Sequence, residues 1–317
     1  MKIFITGASG YIGNRMAEVL LEKDWVTGVV GTDISKGRIN HPKYTFYQRD
    51  IRKNMDDIFE KENIDTVFHA AYVLTPTHNK GEMEDINKNG ARNILAASAK
   101  AGAKQILYTS STTAYGFYPD NDQPLMEDSS PLRGNDDFIY SKNKKELEPI
   151  LQDFVSEHPE IVVSIVRPCV VVGPGFVHAS MADNFKKDAL VVPSNVFPQQ
   201  YVHEDDLINI LILLIETRTA GIYNVAGDGT MTFQEMADLL GVKLTMLPWR
   251  FVYTLNNIFW FLRMRSQTKF PSAALRMLVN PWIASNEKLK KATGYQYQYT
   301  TKEAFADTVK YLKKEQA

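Results

Sequence analysis

The sequence predicts an α/β fold built on a doubly wound parallel sheet of the Rossmann type, with a smaller, discontinuous C-terminal lobe. Short apolar runs alternate with helical patterns over roughly the first 227 residues, which is typical of strand–helix–strand units. The first apolar run leads through a glycine-rich turn into a helix. Beyond residue 228 the alternation gives way to an aromatic stretch, which indicates a second lobe.

The first strand, residues 3–5, is followed by Gly7, Gly10 and Gly13 and by a helix that begins near Gly13. Glycines let backbone N–H groups approach a pyrophosphate, and a helix N-terminus adds partial positive charge. The turn therefore predicts a dinucleotide site, although the Gly-x-x-Gly-x-x-Gly spacing would also suit an ordinary turn.

The second strand, residues 26–32, ends in Asp33. A carboxylate at this place accepts hydrogen bonds from an adenosine ribose and repels a 2′-phosphate. Asp33 therefore predicts NAD rather than NADP, while Lys36 and Arg38 would soften that preference. The alternative for Asp33 is a cap of a helix or turn.

The third strand, residues 44–47, precedes Asp50 and Ile51, and a short helix over 55–61 follows. In a dinucleotide fold, Asp50 and Ile51 would offer an adenine ring a hydrogen-bonding carboxylate and an apolar contact. A helix-initiating role for Asp50 explains the residues equally well.

The fourth strand, residues 66–71, ends in Ala70 and Ala71, whose small side chains would let a cofactor pass close to the sheet edge. Residues 72–83 lack periodicity and are predicted to form an active-site loop, with Tyr72 a candidate substrate contact.

The later elements continue the alternation. We predict a helix over 84–101, a strand over 105–109, a loop over 117–138, a helix from about 140 to 155, and strands over 162–167 and 222–226. Residues 176–198 are expected to be a helix with irregular chain, and residues 201–207 to return to the sheet. The predicted domains are an NAD-binding domain, 1–168 with 199–227, and a substrate-binding lobe, 169–198 with 228–317.

Tyr140 and Lys144 are four residues apart and share one helix face. A phenol has a pKa of about 10, which a nearby ammonium lowers. With Ser111 holding the same oxygen, Tyr140 could exchange a proton with an alcohol or ketone while a hydride moves to or from nicotinamide. A plain surface helix is the alternative for the Tyr-x-x-x-Lys spacing alone.

Composition excludes several classes of function. The 317 residues are 44% apolar and 23% charged with a net charge of −1, which offers no general attraction to nucleic acid or an anionic membrane. The single cysteine, Cys169, lies in an apolar run, which predicts a buried core residue. A lone cysteine cannot form an internal disulfide, which favours a reducing compartment. We expect a cytoplasmic protein without a leader, a membrane span or a metal site.

Taken together, the motifs resemble the extended short-chain dehydrogenases/reductases, the NAD-dependent epimerase/dehydratase family. The matching residues are 6–13, Asp33, Asp50-Ile51, His69-Ala70-Ala71, Asn87, Gly90, Asn93, Ser110-Ser111, Tyr115-Gly116, Tyr140, Lys144, Arg167-Pro168, Gly173-Pro174-Gly175, Tyr201-Val202-His203, Asp206 and Asn224-Val225-Ala226-Gly227. The resemblance implies an oxidoreductase or isomerase.

The resemblance also implies roles. Ser111, Tyr140 and Lys144 would be the catalytic residues, and Lys144 would also hold the nicotinamide ribose. NAD would be bound by Gly7, Ser9, Gly10, Tyr11, Ile12, Gly13, Asp33, Asp50, Ile51, Ala70, Ala71, Asn87, Tyr140, Lys144 and Pro168. A homodimer would form through a four-helix bundle of helices 84–101 and 140–155.

Three departures from the family bear on the substrate. Thr112 and Thr113 stand where family dehydratases carry Asp-Glu, so sugar 4,6-dehydration is not expected. Val170 replaces an Asn that helps hold a nucleotide-sugar in many epimerases, and Gln199 replaces an Arg that clamps a diphosphate. Arg250, Arg263, Arg265 and Arg276 are possible substitutes for that cation. Tyr72, Thr112, Val170 and Gln199 are the candidate substrate contacts.

Three functions fit these residues. The first is a nucleotide-sugar epimerase working through a keto intermediate. The second is an NAD(P)-dependent secondary-alcohol dehydrogenase or ketone reductase acting on an apolar, steroid-like or aldehyde/ketone substrate. The third, a non-catalytic cofactor-binding protein, fits the intact Ser111, Tyr140 and Lys144 least well. The aromatic stretch 248–262 is interpreted as a core helix of the small lobe, or else as a substrate wall or a membrane-surface contact.

Overall fold

The computed structural model describes residues 1–75, 79–178 and 182–316. The chain divides into two compact units, each made of three segments. Unit 1 comprises Met1–Ser110, Glu146–Arg167 and Ile208–Tyr223. Unit 2 comprises Ser111–Lys145, Pro168–Leu207 and Asn224–Ala317. This is a division by packing, so the predicted division into NAD-binding and substrate-binding parts stays a prediction.

The strands of the described residues are β1 (Lys2–Thr6), β2 (Gly28–Asp33), β3 (Tyr44–Gln48), β4 (Thr66–His69), β5 (Gln105–Thr109), β6 (Val162–Pro168), β7 (Val170–Val172), β8 (Ala189–Pro193), β9 (Tyr201–His203), β10 (Gly221–Val225) and β11 (Lys243–Leu247). The α-helices are α1 (Tyr11–Leu21), α2 (Asp56–Glu62), α3 (Lys80–Glu84), α4 (Gly90–Lys100), α5 (Ile139–Glu157), α6 (Glu204–Thr217), α7 (Phe233–Leu240), α8 (Trp249–Phe261), α9 (Arg276–Val279), α10 (Glu287–Thr293) and α11 (Thr301–Gln316).

The main sheet has seven strands in the order β10-β6-β5-β4-β1-β2-β3. Each ladder from β6 to β3 is parallel. The chain moves outward from β1 through β2 to β3 and then resumes at β4 on the other side of β1, so the strand order reverses beside β1. Ligands bind parallel sheets at the carboxyl ends of the strands next to such a reversal. The predicted doubly wound sheet is therefore confirmed.

The inner strands of this sheet, β1, β2, β4, β5 and β6, form because most of their residues are buried. Phe4, Val30, Val67 and Ile106 have no exposed surface and share one core with helices of unit 1. Strands covered by helices on both faces require such continuous apolar runs rather than alternation. The short apolar runs in the sequence therefore predicted the strands, with boundary errors of a few residues.

Several predicted elements are corrected. The fourth strand ends at His69, so Ala70 and Ala71 follow it rather than complete it. The predicted helix 84–101 begins earlier, at Lys80, and contains a π-helical turn, Asp85–Asn89. The predicted active-site loop 72–83 is therefore partly helical, and its residues 76–78 lie outside the described residues.

Three corrections concern unit 2. Residues 201–203 do not rejoin the main sheet but pair in parallel with β7. The segment 176–198 contains the strand β8, which pairs with β11. The aromatic stretch forms α8, none of whose residues is buried, so it is not a core helix. Among the described residues, no helix combines the length and hydropathy that crossing a bilayer requires.

Candidate active site

The glycine turn after β1 packs so tightly against neighbouring backbone that side chains do not fit. Gly7 has φ +69°, and its carbonyl oxygen accepts a hydrogen bond from Gly10 N at 2.9 Å. A Cβ at Gly7 would lie 2.8 Å from Ala71 Cα, and one at Gly13 would overlap the Gly7 carbonyl oxygen. Side chains are therefore excluded at both positions. The turn opens α1 at Tyr11 and Ile12, so the helix N-terminus faces the carboxyl end of the sheet.

Asp33 is fixed at the end of β2 by two backbone donors. Ser9 N donates to Oδ2 at 3.1 Å, and Ser35 N donates to Oδ1 at 2.9 Å. The Ser9 hydroxyl in turn donates to the Lys36 carbonyl at 3.0 Å. These bonds tie the glycine turn to the residues after β2 and hold one negative charge beside the turn.

The side chain of Asn87, like the glycine turn and Asp33, bears on whether a dinucleotide fits unit 1. It lies in the π-helical turn and is 1% exposed. Its Oδ1 accepts a hydrogen bond from Val73 N at 2.8 Å, while its Nδ2 has no partner among the described residues. A buried amide donor without a partner is costly, so this atom suits a ligand acceptor.

The predicted adenine contacts have other partners as well. The Asp50 carboxylate is bound by Arg52, with Nη2 to Oδ2 at 2.6 Å, which lowers the pKa of Asp50 despite partial burial. Ile51 is 5% exposed and packs in the core of unit 1, where a Cβ at Gly90 would overlap its side chain. The adenine roles of Asp50 and Ile51 stay predictions.

Unit 2 contains Ser111, Tyr140 and Lys144 together. Tyr140 and Lys144 occupy the first turns of α5, as their spacing predicts, and Lys144 Nζ lies 5.9 Å from the Tyr140 ring centroid. Ser111 and Lys144 are buried, whereas the Tyr140 side chain keeps some exposure although its hydroxyl is enclosed by protein. The arrangement presents one phenol with an adjacent hydroxyl and an ammonium, which can move a proton at an alcohol oxygen.

The pKa of Tyr140 differs in direction from the sequence-based expectation. Burial raises it above the ordinary value, and the neighbouring hydroxyls of Ser111 and Thr113 only partly offset that effect. Lys144 was expected to lower this pKa, but burial has the larger effect in this structure. Tyr140 is therefore a neutral phenol at neutral pH.

Hydrogen bonds to backbone carbonyls fix the chain at Ser111 to Thr113, which precedes α5. Ser111 Oγ and Thr112 Oγ1 donate to the Pro168 carbonyl at 3.4 and 3.3 Å. Ser141 Oγ donates to the Thr113 carbonyl at 2.7 Å. Sequence reasoning missed Ser141, the residue after Tyr140. Its hydrogen bond ties the start of α5 to the chain just after Ser111. The position of Ser141 directly after Tyr140 was the feature of the sequence from which this role could have been predicted.

A buried ion pair in unit 1, also missed from the sequence, fixes the later turns of α5. Arg167 Nε donates to Glu148 Oε1 at 2.8 Å, and the Ser110 hydroxyl donates to the same oxygen at 2.7 Å. Glu148 is 0% and Arg167 2% exposed. Glu148 follows Lys144 by one helical turn, and Ser110 precedes Ser111. The pair therefore joins α5 to the ends of β5 and β6.

The four predicted substrate contacts differ in how far they are buried. Tyr72 packs partly against the core of unit 1, and Val170 is partly exposed in β7. Thr112 has no exposed surface. Gln199 is 2% exposed, and its amide donates to the Phe197 carbonyl at 3.0 Å. Thr112 and Gln199 are thus committed to the protein interior, and the cation missing at position 199 is not replaced there.

Two residues have structural roles, as the sequence analysis predicts for Cys169. The His69 ring contacts the Thr6 hydroxyl, with Nδ1 to Oγ1 at 2.7 Å, and stacks on Tyr108. Cys169 is buried, and burial raises its pKa to about 12, which is unsuited to a thiolate nucleophile.

Sequence comparison decides the family. Residues 3–226 match the NAD dependent epimerase/dehydratase family. The chain belongs to this family. It is accordingly an enzyme whose cofactor is NAD. The family's cofactor fits unit 1, where the side-chain-free glycine turn, the Asp33 carboxylate and the Asn87 amide supply a cradle, an acceptor and a buried donor.

Relatives of this family member are distant in sequence but similar in fold. An uncharacterized protein of Mycobacterium tuberculosis is 23% identical over 317 residues, covering 96% of this chain and 82% of that protein. UDP-glucose 4-epimerase of Thermotoga maritima, solved with UDP-glucose, has a TM-score of 0.77 at 20% identity and covers 100% of both chains. UDP-glucuronic acid 4-epimerase of Bacillus cereus, solved with NAD, has a TM-score of 0.74 at 17% identity, also with 100% coverage of both. These likenesses extend the fold assignment beyond residue 226.

Proposed function

We propose that the protein is a nucleotide-sugar epimerase that inverts one carbinol carbon through a keto intermediate. The observation that carries the proposal is the enclosed Tyr140 hydroxyl beside Ser111, with Lys144 one helical turn away. Bound NAD would accept a hydride from the sugar carbon and return it to the opposite face. In its phenolate form, Tyr140 takes the proton of the sugar hydroxyl as the ketone forms, and the resulting phenol gives the proton back as the ketone is reduced. Ser111 holds the same oxygen in place.

The NAD-binding roles follow from the cradle in unit 1. The N–H groups of the turn from Gly7 to Gly13 would hold the pyrophosphate, and Asp33 would accept the adenosine ribose hydroxyls. Asn87 Nδ2 would donate to the cofactor. The resemblance to the family further implies that Lys144 holds the nicotinamide ribose. The negative charge of Asp33 would exclude a 2′-phosphate.

We further propose Arg276 as the cation that binds the substrate diphosphate in place of an arginine at position 199. Its Nη1 and Nη2 atoms contact the two oxygens of Asp137 at 2.8 Å each. Both side chains are partly exposed, so this pair is weak and its exchange for a diphosphate costs little. Asp137 lies three residues before Tyr140, which places the guanidinium near the start of the catalytic helix.

A second function is favoured by a different observation. Val170 presents an apolar, partly exposed side chain where many epimerases carry Asn. Among the described residues, Gln199 donates its amide only to backbone carbonyls. A secondary-alcohol dehydrogenase or ketone reductase with an apolar substrate needs neither polar group. Its catalytic residues would be the same three.

The test supplies NAD and monitors absorbance at 340 nm with separate panels of nucleotide-sugars and apolar secondary alcohols, followed by chromatography of each mixture. A new sugar epimer without net NADH supports the epimerase. Net NADH with an alcohol supports the dehydrogenase instead. Tyr140→Phe should abolish either reaction while leaving NAD binding nearly unchanged, and full turnover in that variant would remove Tyr140 from the mechanism.

The diphosphate role is tested separately. Arg276→Met should raise KM for a nucleotide-sugar at least tenfold, since a bidentate cation is lost. The matched control is Asp137→Asn, which frees the guanidinium and should not raise KM. An equal rise in KM for both variants would show that the ion pair acts structurally.

We also propose a homodimer through α4 and α5. Ala96 is exposed on α4, and Val155 on α5 is 39% exposed, so both helices keep apolar side chains on their outer faces. Light scattering after size exclusion should give twice the 36.0 kDa chain mass. Ala96→Arg with Val155→Arg should give monomers. A monomeric wild-type chain would refute the proposal.

A further inference from the structure

Helix α8 turns a row of large apolar side chains outward. Phe251, Ile258 and Leu262, the last of which directly follows the helix, recur at intervals of seven and four residues, so they lie on one side of it. Their exposed fractions are 54%, 48% and 58%. Phe261 beside them is 82% exposed, and Met264 just beyond the helix is 40% exposed. We call these five residues the apolar row.

The opposite side of α8 is anchored within unit 2. Asn256 Nδ2 donates to the Phe270 carbonyl at 3.1 Å and to Ser272 Oγ at 3.0 Å. Ser272 Oγ donates to the Tyr253 carbonyl at 3.0 Å. These bonds fix which side of the helix faces inward, so the apolar row is presented outward by the fold itself.

The segment around the apolar row is strongly basic. Residues 239–286 contain no Asp or Glu. Their cations are Lys243, Arg250, Arg263, Arg265, Lys269 and Arg276. Since the whole chain has a net charge of −1, the remainder is net acidic, and the positive charge is concentrated in this segment.

Three of these cations are available to a partner. Arg250, Arg263 and Arg265 are exposed and form no ion pair with any residue the structure describes. Lys269 and Arg276, in contrast, pair with Asp183 and Asp137. The three free arginines lie in or just after α8 and so flank both ends of the apolar row.

We propose that α8 docks flat on an anionic lipid bilayer, with the apolar row entering the headgroup boundary and Arg250, Arg263 and Arg265 contacting lipid phosphates. An apolar helix side with Phe and Leu, flanked by arginines and free of acids, is the pattern of helices that lie in a membrane interface. With 13 residues, α8 is about 20 Å long, which suits lying on a bilayer rather than crossing it.

Charge favours a bilayer over a second copy of the chain. A symmetric pairing of two α8 helices would bring two sets of unpaired arginines together, whereas anionic lipid neutralises them. The segment also lies beyond residues 3–226, where the family match ends. The surface is thus a feature of this chain's own C-terminal part. Net charge alone predicted no membrane attraction, because the sum conceals this local concentration.

The test uses the full chain without substrate, so it does not depend on the proposed reaction. Sedimentation with phosphatidylcholine vesicles is compared with vesicles that also contain phosphatidylglycerol. We expect at least tenfold tighter binding to the anionic vesicles, weakening from 0.1 to 0.5 M NaCl. Each cation near such a surface strengthens binding by roughly fivefold, so replacing the three free arginines by Gln should weaken it about a hundredfold.

Three further variants distinguish binding through the apolar row from general effects of charge and hydrophobicity. Phe251→Ser with Phe261→Ser should weaken anionic-vesicle binding at least tenfold. The charge control replaces Lys104, Lys187 and Lys291 by Gln, and the apolar control replaces Leu239 and Tyr311 by Ser; neither should change binding. Circular dichroism confirms folding of each variant.

Three results would overturn the proposal. One is wild-type protein that does not sediment with anionic vesicles. The second is a control set that loses as much binding as the α8 variants. The third is a wild-type oligomer, dissociated by the Phe251 and Phe261 changes, with no vesicle binding, which would make a second copy the occupant of the apolar row.

Discussion

Replacing Glu148 with Gln should destabilise unit 1 strongly. Glu148 and Arg167 are 0% and 2% exposed, so the substitution leaves a guanidinium buried without its counter-charge. Gln still offers an oxygen to the Ser110 hydroxyl, but its amide group would place donors against the Arg167 donors. Breaking a buried pair in this way costs about 3–5 kcal/mol. That is a large part of the roughly 5–15 kcal/mol that stabilises a typical domain.

The assay is urea unfolding followed by circular dichroism. With an m-value of about 3 kcal/mol per M, a loss of about 4 kcal/mol lowers the midpoint by roughly 1.3 M. The control is Asp56→Asn, which removes the partner of the exposed Lys100 and should leave the midpoint unchanged. Removing both charges, with Glu148→Leu and Arg167→Met, should recover much of the loss, because neither group is then left unpaired.

The reasoning would be refuted if Glu148→Gln and Asp56→Asn moved the midpoint by similar amounts. It would also be refuted if the double variant were less stable than Glu148→Gln. The first result would mean that Arg167 finds another partner or reaches water, and the second that packing rather than charge governs this cluster.

The remaining predictions concern the proposed NAD-binding residues and the proposed acid/base residue, Tyr140. Asp33→Ala should relax discrimination against NADP, because a negative charge beside the ribose is removed; an unchanged ratio of NAD to NADP dissociation constants would contradict that role. Gly13→Ala should lower stability by about 1–3 kcal/mol and weaken NAD binding, since its Cβ overlaps the Gly7 carbonyl oxygen, whereas Gly81→Ala, with open space around it, should do neither. Because burial raises the pKa of Tyr140, its base form grows as pH rises, so kcat/KM for alcohol oxidation should increase from pH 6 to 9, by up to about tenfold per unit. A flat profile measured over this range would argue against Tyr140 as the base.

The local pattern of the sequence determined the main sheet and the glycine turn after β1. Strands buried on both faces need continuous apolar runs, and a tight phosphate turn needs glycine where a Cβ would strike backbone, so both leave their mark in adjacent residues. The helix that carries Tyr140 and Lys144 was also predictable, because the two residues are neighbours on one helix face at a fixed spacing.

Contacts between distant residues were decided only by the tertiary structure. Nothing in the spacing of Ser110, Glu148 and Arg167 shows that the three meet in a buried cluster. Nor does the sequence of residues 201–203 show that β9 pairs with β7 rather than with the main sheet. The pKa of Tyr140 depends on how much protein surrounds its hydroxyl, which a sequence does not state. The aromatic composition of α8 was plain from the sequence, but apolar residues suit a core and an outer surface alike. Their exposure, and hence their availability to a partner, depends on which side of the helix Asn256 and Ser272 hold inward.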